Sequence, residues 1–147
     1  MLHGIDPRVT PELLYCLARM GHGDELVVAD ANYPSTTTAA TCRLTEVLHC
    51  PGCDAVELVR LITGLMPLDG FHDYAALRME IDKAPDEMSA VHEAAWNVMT
   101  PRLPEGGVLA SIERQDFYGK AARAFAVVQC TEMRPFSCFI LRKGVIF

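Results

Sequence analysis

The sequence predicts an α/β fold, one layered domain over residues 1–147 with helices covering a sheet, and three observations predict it. Short apolar runs of strand length alternate along the chain with longer stretches whose apolar residues recur three or four apart. Half of the 147 residues are apolar and 22% are charged, the composition of a chain that buries a core rather than one that stays disordered. No linker, internal repeat or low-complexity run interrupts this alternation, and the length is that of one domain.

The elements follow in order. Thr10-Pro11-Glu12 opens a helix with a hydroxyl cap, a proline at the first helical position and an acid near the positive dipole end. Leu13, Leu14 and Leu17 give it an apolar face, and Gly21 is its natural stop. Leu26-Val27-Val28-Ala29 is a short buried strand closed by Asp30-Ala31-Asn32, and Pro34-Ser-Thr-Thr-Thr reads as a polar loop. A second helix runs from about Asp54 with Val56, Val59, Ile62 and Leu65 three apart, and ends between Gly64 and Pro67. A strand at 76–81, a helix at 86–99, a strand at 107–112 and a short helix at 115–122 come next. Strands at 124–130 and 138–141, with a turn at 133–137 between them, close the chain.

The formal charge of −6 argues against nucleic-acid and anionic-membrane partners, which reward clustered Lys and Arg. No run of 18 apolar residues offers a membrane span, and the start M-L-H-G-I-D-P has neither the basic nor the apolar part of a signal peptide, so a cytoplasmic protein is expected. Six cysteines (Cys16, Cys42, Cys50, Cys53, Cys130 and Cys138) then read as free thiols in a reducing compartment.

An α/β protein places its chemistry on the loops at strand ends. His22, held between Gly21 and Gly23, has a side chain suited to proton transfer in either direction near neutral pH, though a plain loop residue between two turn glycines fits the pattern as well. Asp30 follows an apolar strand, where a carboxylate can accept from ligand hydroxyls or simply terminate the strand. Eight residues separate it from His22, roughly 26 Å if fully extended, so the two share a pocket only if the chain bends at Gly23-Asp24. Arg114 and Tyr118 lie four apart on a helix and can face one way, offering a guanidinium and a phenol. His49, Cys50 and Cys53 form a C-x-x-C with a histidine before it. That pattern allows a redox pair, or three ligands of a metal site that wants a fourth, or a decorated Pro-Gly turn.

These separate signals join in one resemblance. P-E-L-L-Y-C-L-A-R-M-G-H-G-D-E-L-V-V-A-D-A-N-Y-P at 11–34, M-P-L-D at 66–69, I-E-R-Q-D-F-Y-G-K-A-A-R-A-F-A-V-V at 112–128 and I-L-R-K-G-V at 140–145 resemble the sugar-mutarotase family of L-fucose mutarotase and D-ribose pyranase. The likeness runs almost end to end, and G-H-G-D-E looks like the fucose branch. It implies a mixed sheet covered by helices and a cofactor-free, metal-free isomerase. That enzyme would interconvert α and β anomers of L-fucose or a related monosaccharide by acid/base ring opening. It also implies a homo-oligomer, typically a decameric ring. Carried over by position, His22 would be the acid/base catalyst, and Asp30, Asp69, Arg114 and Tyr118 would hold sugar hydroxyls. The family's Tyr-Gly-Asn falls on Phe136-Ser137-Cys138, which would also border the sugar. There Phe136 lacks a phenol and Cys138 replaces an amide with a weakly bonding thiol. The alternative is a sugar-binding protein that kept the pocket and lost useful catalysis.

Overall fold

Burial with a period of two organises the molecule. The computed structural model describes residues 2–147. In strand β1 (Glu25–Ala29), Leu26 and Val28 enter one apolar cluster while Val27 and Ala29 enter another on the opposite face. A strand buried on both faces reads as an unbroken apolar run, the signature of a sheet sandwiched between helices.

Beside β1 lie β2 (Leu48–His49), β3 (Ala76–Met79), β4 (Leu109–Ile112), β5 (Ala126–Gln129) and β6 (Phe139–Arg142). Among the described residues these six strands form one sheet in the order β2-β5-β1-β6-β3-β4. β6 runs antiparallel to both β1 and β3, while β1 pairs parallel with β5, β5 with β2, and β3 with β4. The expected mixed sheet is therefore present, with one reversed strand near its centre. Helices α1 (Pro11–Arg19), α3 (Ala55–Leu65) and α4 (Ala90–Met99) pack Leu13, Leu58, Ile62 and Val91 into the cluster of Leu26 and Val28. Helix α5 (Arg114–Ala121) and the short α2 (Ser35–Ala39) bring Phe117, Ala121 and Ala39 to the other face.

Local chemistry accounts for the helix starts. Thr10 accepts from the Leu13 N–H ahead of Pro11, and Asp54 with Glu57 forms a full capping box. Helix α4 begins at Ala90 rather than 86, because Ser89 caps it and the imidazole of His92 returns the bond to the Ser89 N–H. Strand ends otherwise fall within two residues of expectation.

Two readings need correction. Residues 34–38 are not a plain polar loop: α2 covers Ser35–Ala39 and buries Ser35 and Thr38, with the Thr38 hydroxyl bonded to the Tyr33 hydroxyl. Gly21 does not end α1, which stops at Arg19 with Met20 extended. Lys143 Nζ donates to the Leu17 and Met20 carbonyls at 2.8 and 2.6 Å, so a side chain 126 and 123 residues away from them closes that helix instead of a glycine. The two-residue edge strand β2 was not foreseen.

Candidate active site

Gly21 to Asp24 form a tight turn in which the Asp24 N–H bonds to the Gly21 carbonyl and its carboxylate accepts from the Gly21 N–H at 2.7 Å. Gly23 adopts φ +85°, a left-handed position that favours glycine, and His22 stands at the tip. The turn is tied to the end of β6: the Gly23 N–H donates to the Lys143 carbonyl and the Lys143 N–H to Asp24. The same segment fixes Asp69, whose N–H donates to the Arg142 carbonyl, while Gly144 lies so close to Leu68 that a Cβ there would overlap the Leu68 carbonyl oxygen. One stretch, Arg142 to Gly144, thus sets both partners of the central pair.

That pair is His22 and Asp69. The His22 Nε2 lies 2.8 Å from one Asp69 oxygen, and the other oxygen takes the His72 Nδ1 at 2.7 Å and the His72 N–H at 2.9 Å. Asp69 is fully buried, which by itself would raise its pKa, but the bonds from His22, His72 and the backbone outweigh burial and hold it down at about 2. An ionised carboxylate only accepts, so both imidazoles present N–H groups to it, and in the neutral form of His22 that leaves Nδ1 as the nitrogen with the lone pair. The His22 side chain is 39% exposed, and Phe71 meets its ring edge-on at 5.4 Å.

A second feature lies at the other end of β1. Asp30, Asn32, Tyr33, Met79, Arg114, Tyr118, Pro135, Phe136 and Cys138 line a cavity of about 150 Å³. Asp30 and Cys138 are buried, and the Asp30 N–H donates to the Cys138 sulfur at 3.4 Å while an Asp30 oxygen accepts from the Asn32 N–H. Burial and the nearby Asp30 push the Cys138 thiol well up, so it stays protonated. Arg114 bonds Asp82 at 2.9 Å and sits over the Tyr118 ring, one turn along α5. Phe136 has φ 58°, unusual for a side chain of that size, and its carbonyl accepts from the Nε2 of the fully buried His92 at 2.8 Å. Ser137 is buried against the Pro135 carbonyl.

The structure thus groups Asp30, Arg114, Tyr118, Phe136 and Cys138 around one cavity, and pairs His22 with Asp69 elsewhere. The chain does turn at Gly23, but β1 then runs straight between His22 and Asp30, about 17 Å at strand rise, so the two do not meet within one chain. Sequence reasoning missed His72, whose signal was the Asp-x-x-His spacing of a side chain capping a turn, and Tyr33, which lines the cavity beside Asp30's loop neighbour Asn32. Cys50 and Cys53 are buried with their sulfurs 3.4 Å apart, and burial raises both thiols, Cys53 to about 12. Exposed His49 bonds to neither sulfur.

The RbsD/FucU transport protein family matches residues 3–146. The chain belongs to that family. A fucose mutarotase of Danio rerio is 39% identical over 99% of this chain and 95% of its own length. A fucose mutarotase of Streptococcus pneumoniae, crystallised with L-fucose, superposes with a TM-score of 0.87 at 32% identity over 99% of this chain and 100% of its own. The RbsD protein of Bacillus subtilis, in a structure complexed with D-ribose, shares the fold at a TM-score of 0.72 and 20% identity over 100% of this chain and 99% of its own.

Proposed function

We propose that the chain is a monosaccharide mutarotase, an isomerase acting on L-fucose or a related sugar. The observation that carries this is a half-exposed imidazole oriented by a buried, ionised carboxylate. Asp69 holds the Nε2–H of His22, leaving Nδ1 to take the proton from the anomeric hydroxyl. The imidazolium then protonates the ring oxygen as its bond to the anomeric carbon breaks, giving the open aldehyde. Rotation about the bond between the aldehyde carbon and its neighbouring carbon, followed by the reverse steps, closes the other anomer. No electrons leave the sugar and His22 ends as it began.

In this reading Asp30, Arg114, Tyr118 and the Phe136-Ser137-Cys138 turn bind the sugar, and Asp69 serves it through His22. Because His22 and Asp30 flank opposite ends of β1, the working site takes His22 from one copy and the sugar pocket from another. A homo-oligomer, a decameric ring in the family's usual form, is then part of the catalytic unit, and the cytoplasm its place of work.

Exchange NMR between the anomeric signals of a monosaccharide panel tests the reading: wild type accelerates exchange, and His22→Ala returns it to the spontaneous rate while remaining folded. Co-refolding His22→Ala with Asp30→Ala in equal amounts restores about a quarter of the sites if the site is shared between copies, and none if each chain is self-sufficient. A binding protein without catalysis is the second reading, favoured by the absence of a phenol or amide on Phe136 and Cys138. Sugar binding with no acceleration of exchange establishes it.

A further inference from the structure

A single proton shuttle needs one imidazole, yet two converge on Asp69. The His22 Nε2, an Asp69 oxygen and the His72 Nδ1 all lie within 4.8 Å of one another. We propose that His22, Asp69 and His72 form a binding site for a divalent first-row metal of the Zn²⁺ class, and that the metal inhibits the enzyme by occupying His22.

The donors suit that ion. Two imidazoles and a carboxylate are ligands of the Zn²⁺, Co²⁺ and Ni²⁺ group, and Asp69 is already ionised. Tetrahedral bonds of about 2.0–2.1 Å set donors roughly 3.3 Å apart, so the 2.7 and 2.8 Å contacts to Asp69 open by about half an ångström as the ion enters between them. Each imidazole moves its hydrogen to its other nitrogen, so neutral histidines need lose no proton. The two rings pack edge to face at 5.3 Å, with 39% and 45% of their side chains exposed, which gives the ion an entry path and leaves a coordination position open to water. The carboxylate is the rigid member: it is buried, and the backbone around it is locked to Arg142 and Gly144. Bound metal takes the Nε2 face of His22 and reverses its tautomer, putting a hydrogen on the nitrogen that must act as base. The inhibitory effect rests on the mutarotase reading, whereas the binding site does not.

The test uses the purified full chain with Co²⁺ and Zn²⁺ salts and no sugar. Calorimetry with Zn²⁺ should give one ion per chain, and Co²⁺ should show the visible bands of a low-coordinate N/O site. His72→Ala, an exposed position, should weaken both metals at least tenfold with its circular dichroism unchanged, while Cys50→Ala/Cys53→Ala should bind as wild type does. No binding at micromolar metal, unaltered affinity in His72→Ala, or loss of binding in the cysteine variant overturns the site. Anomer exchange is then measured with chelator and with Zn²⁺. Exchange that Zn²⁺ suppresses and chelator restores supports the inhibitory role, and exchange that proceeds on the metal-loaded protein overturns that role. Metal binding with no exchange under either condition leaves the site standing and refutes the mutarotase.

Discussion

Asp69→Asn separates the orienting role of this carboxylate from mere packing, because the amide matches its shape and differs in charge and hydrogen-bonding pattern. The carboxylate accepts three bonds, from the His22 ring, the His72 ring and the His72 N–H. The amide oxygen can keep the two from His72, and its NH₂ then faces the Nε2–H of His22, donor against donor. His22 must flip its tautomer, which places its hydrogen on Nδ1, the atom needed as base. In catalytic triads the corresponding exchange costs about 10⁴ in rate, so a loss of a thousandfold or more is expected here. Stability changes too. A pKa held at about 2, against an ordinary value of 3.8, contributes about 2 kcal/mol at neutral pH. That contribution is present above pH 4 and is lost as pH falls through 2, because the unfolded chain takes up the proton first. Urea unfolding should therefore find Asp69→Asn about 2 kcal/mol weaker at pH 7, with the gap closing between pH 4 and 2. Wild-type exchange in the variant, or a gap independent of pH, would refute this role for Asp69.

The remaining predictions are narrower. Gly144→Ala drives a methyl into the Leu68 carbonyl, so it should cost more than about 2 kcal/mol in urea unfolding and displace Asp69, with exchange falling in parallel. The double change Phe136→Tyr, Cys138→Asn puts a phenol and an amide into the pocket and should raise the exchange rate on L-fucose, read by NMR; an unchanged rate would show that this turn does not contact the sugar. All six thiols are free and buried, so a chromogenic disulfide reagent should label them slowly in the native protein and all at once in urea. Rapid native labelling of Cys50 or Cys53 would revive a redox role for that pair.

Much of the fold was legible because local signals agreed with the final packing. Thr10-Pro11 and Asp54 with Glu57 cap their helices by short-range bonds, and Leu26 to Ala29 is apolar throughout because both faces of β1 are covered. The helix at Ser35–Ala39 was not legible, since threonine-rich segments favour turns, and tertiary contacts hold it: Ala39 packs on the sheet, Ser35 and Thr38 are buried, and Thr38 bonds the Tyr33 hydroxyl. The end of α1 was misread for a related reason: the stop comes from Lys143, far along the chain.

By itself the sequence determined the layered α/β class, the candidate residues and the family likeness, because periodicity, caps and motif order are properties of neighbours along the chain. Only the tertiary structure decided which candidates meet. It set His22 on Asp69 and added His72, and it gathered Asp30, Arg114, Tyr118, Phe136 and Cys138 around a different cavity. The physical reason is that these groups sit on segments separated by dozens of residues, and the distances between those segments are fixed by strand order and register, above all by β6 running antiparallel between β1 and β3.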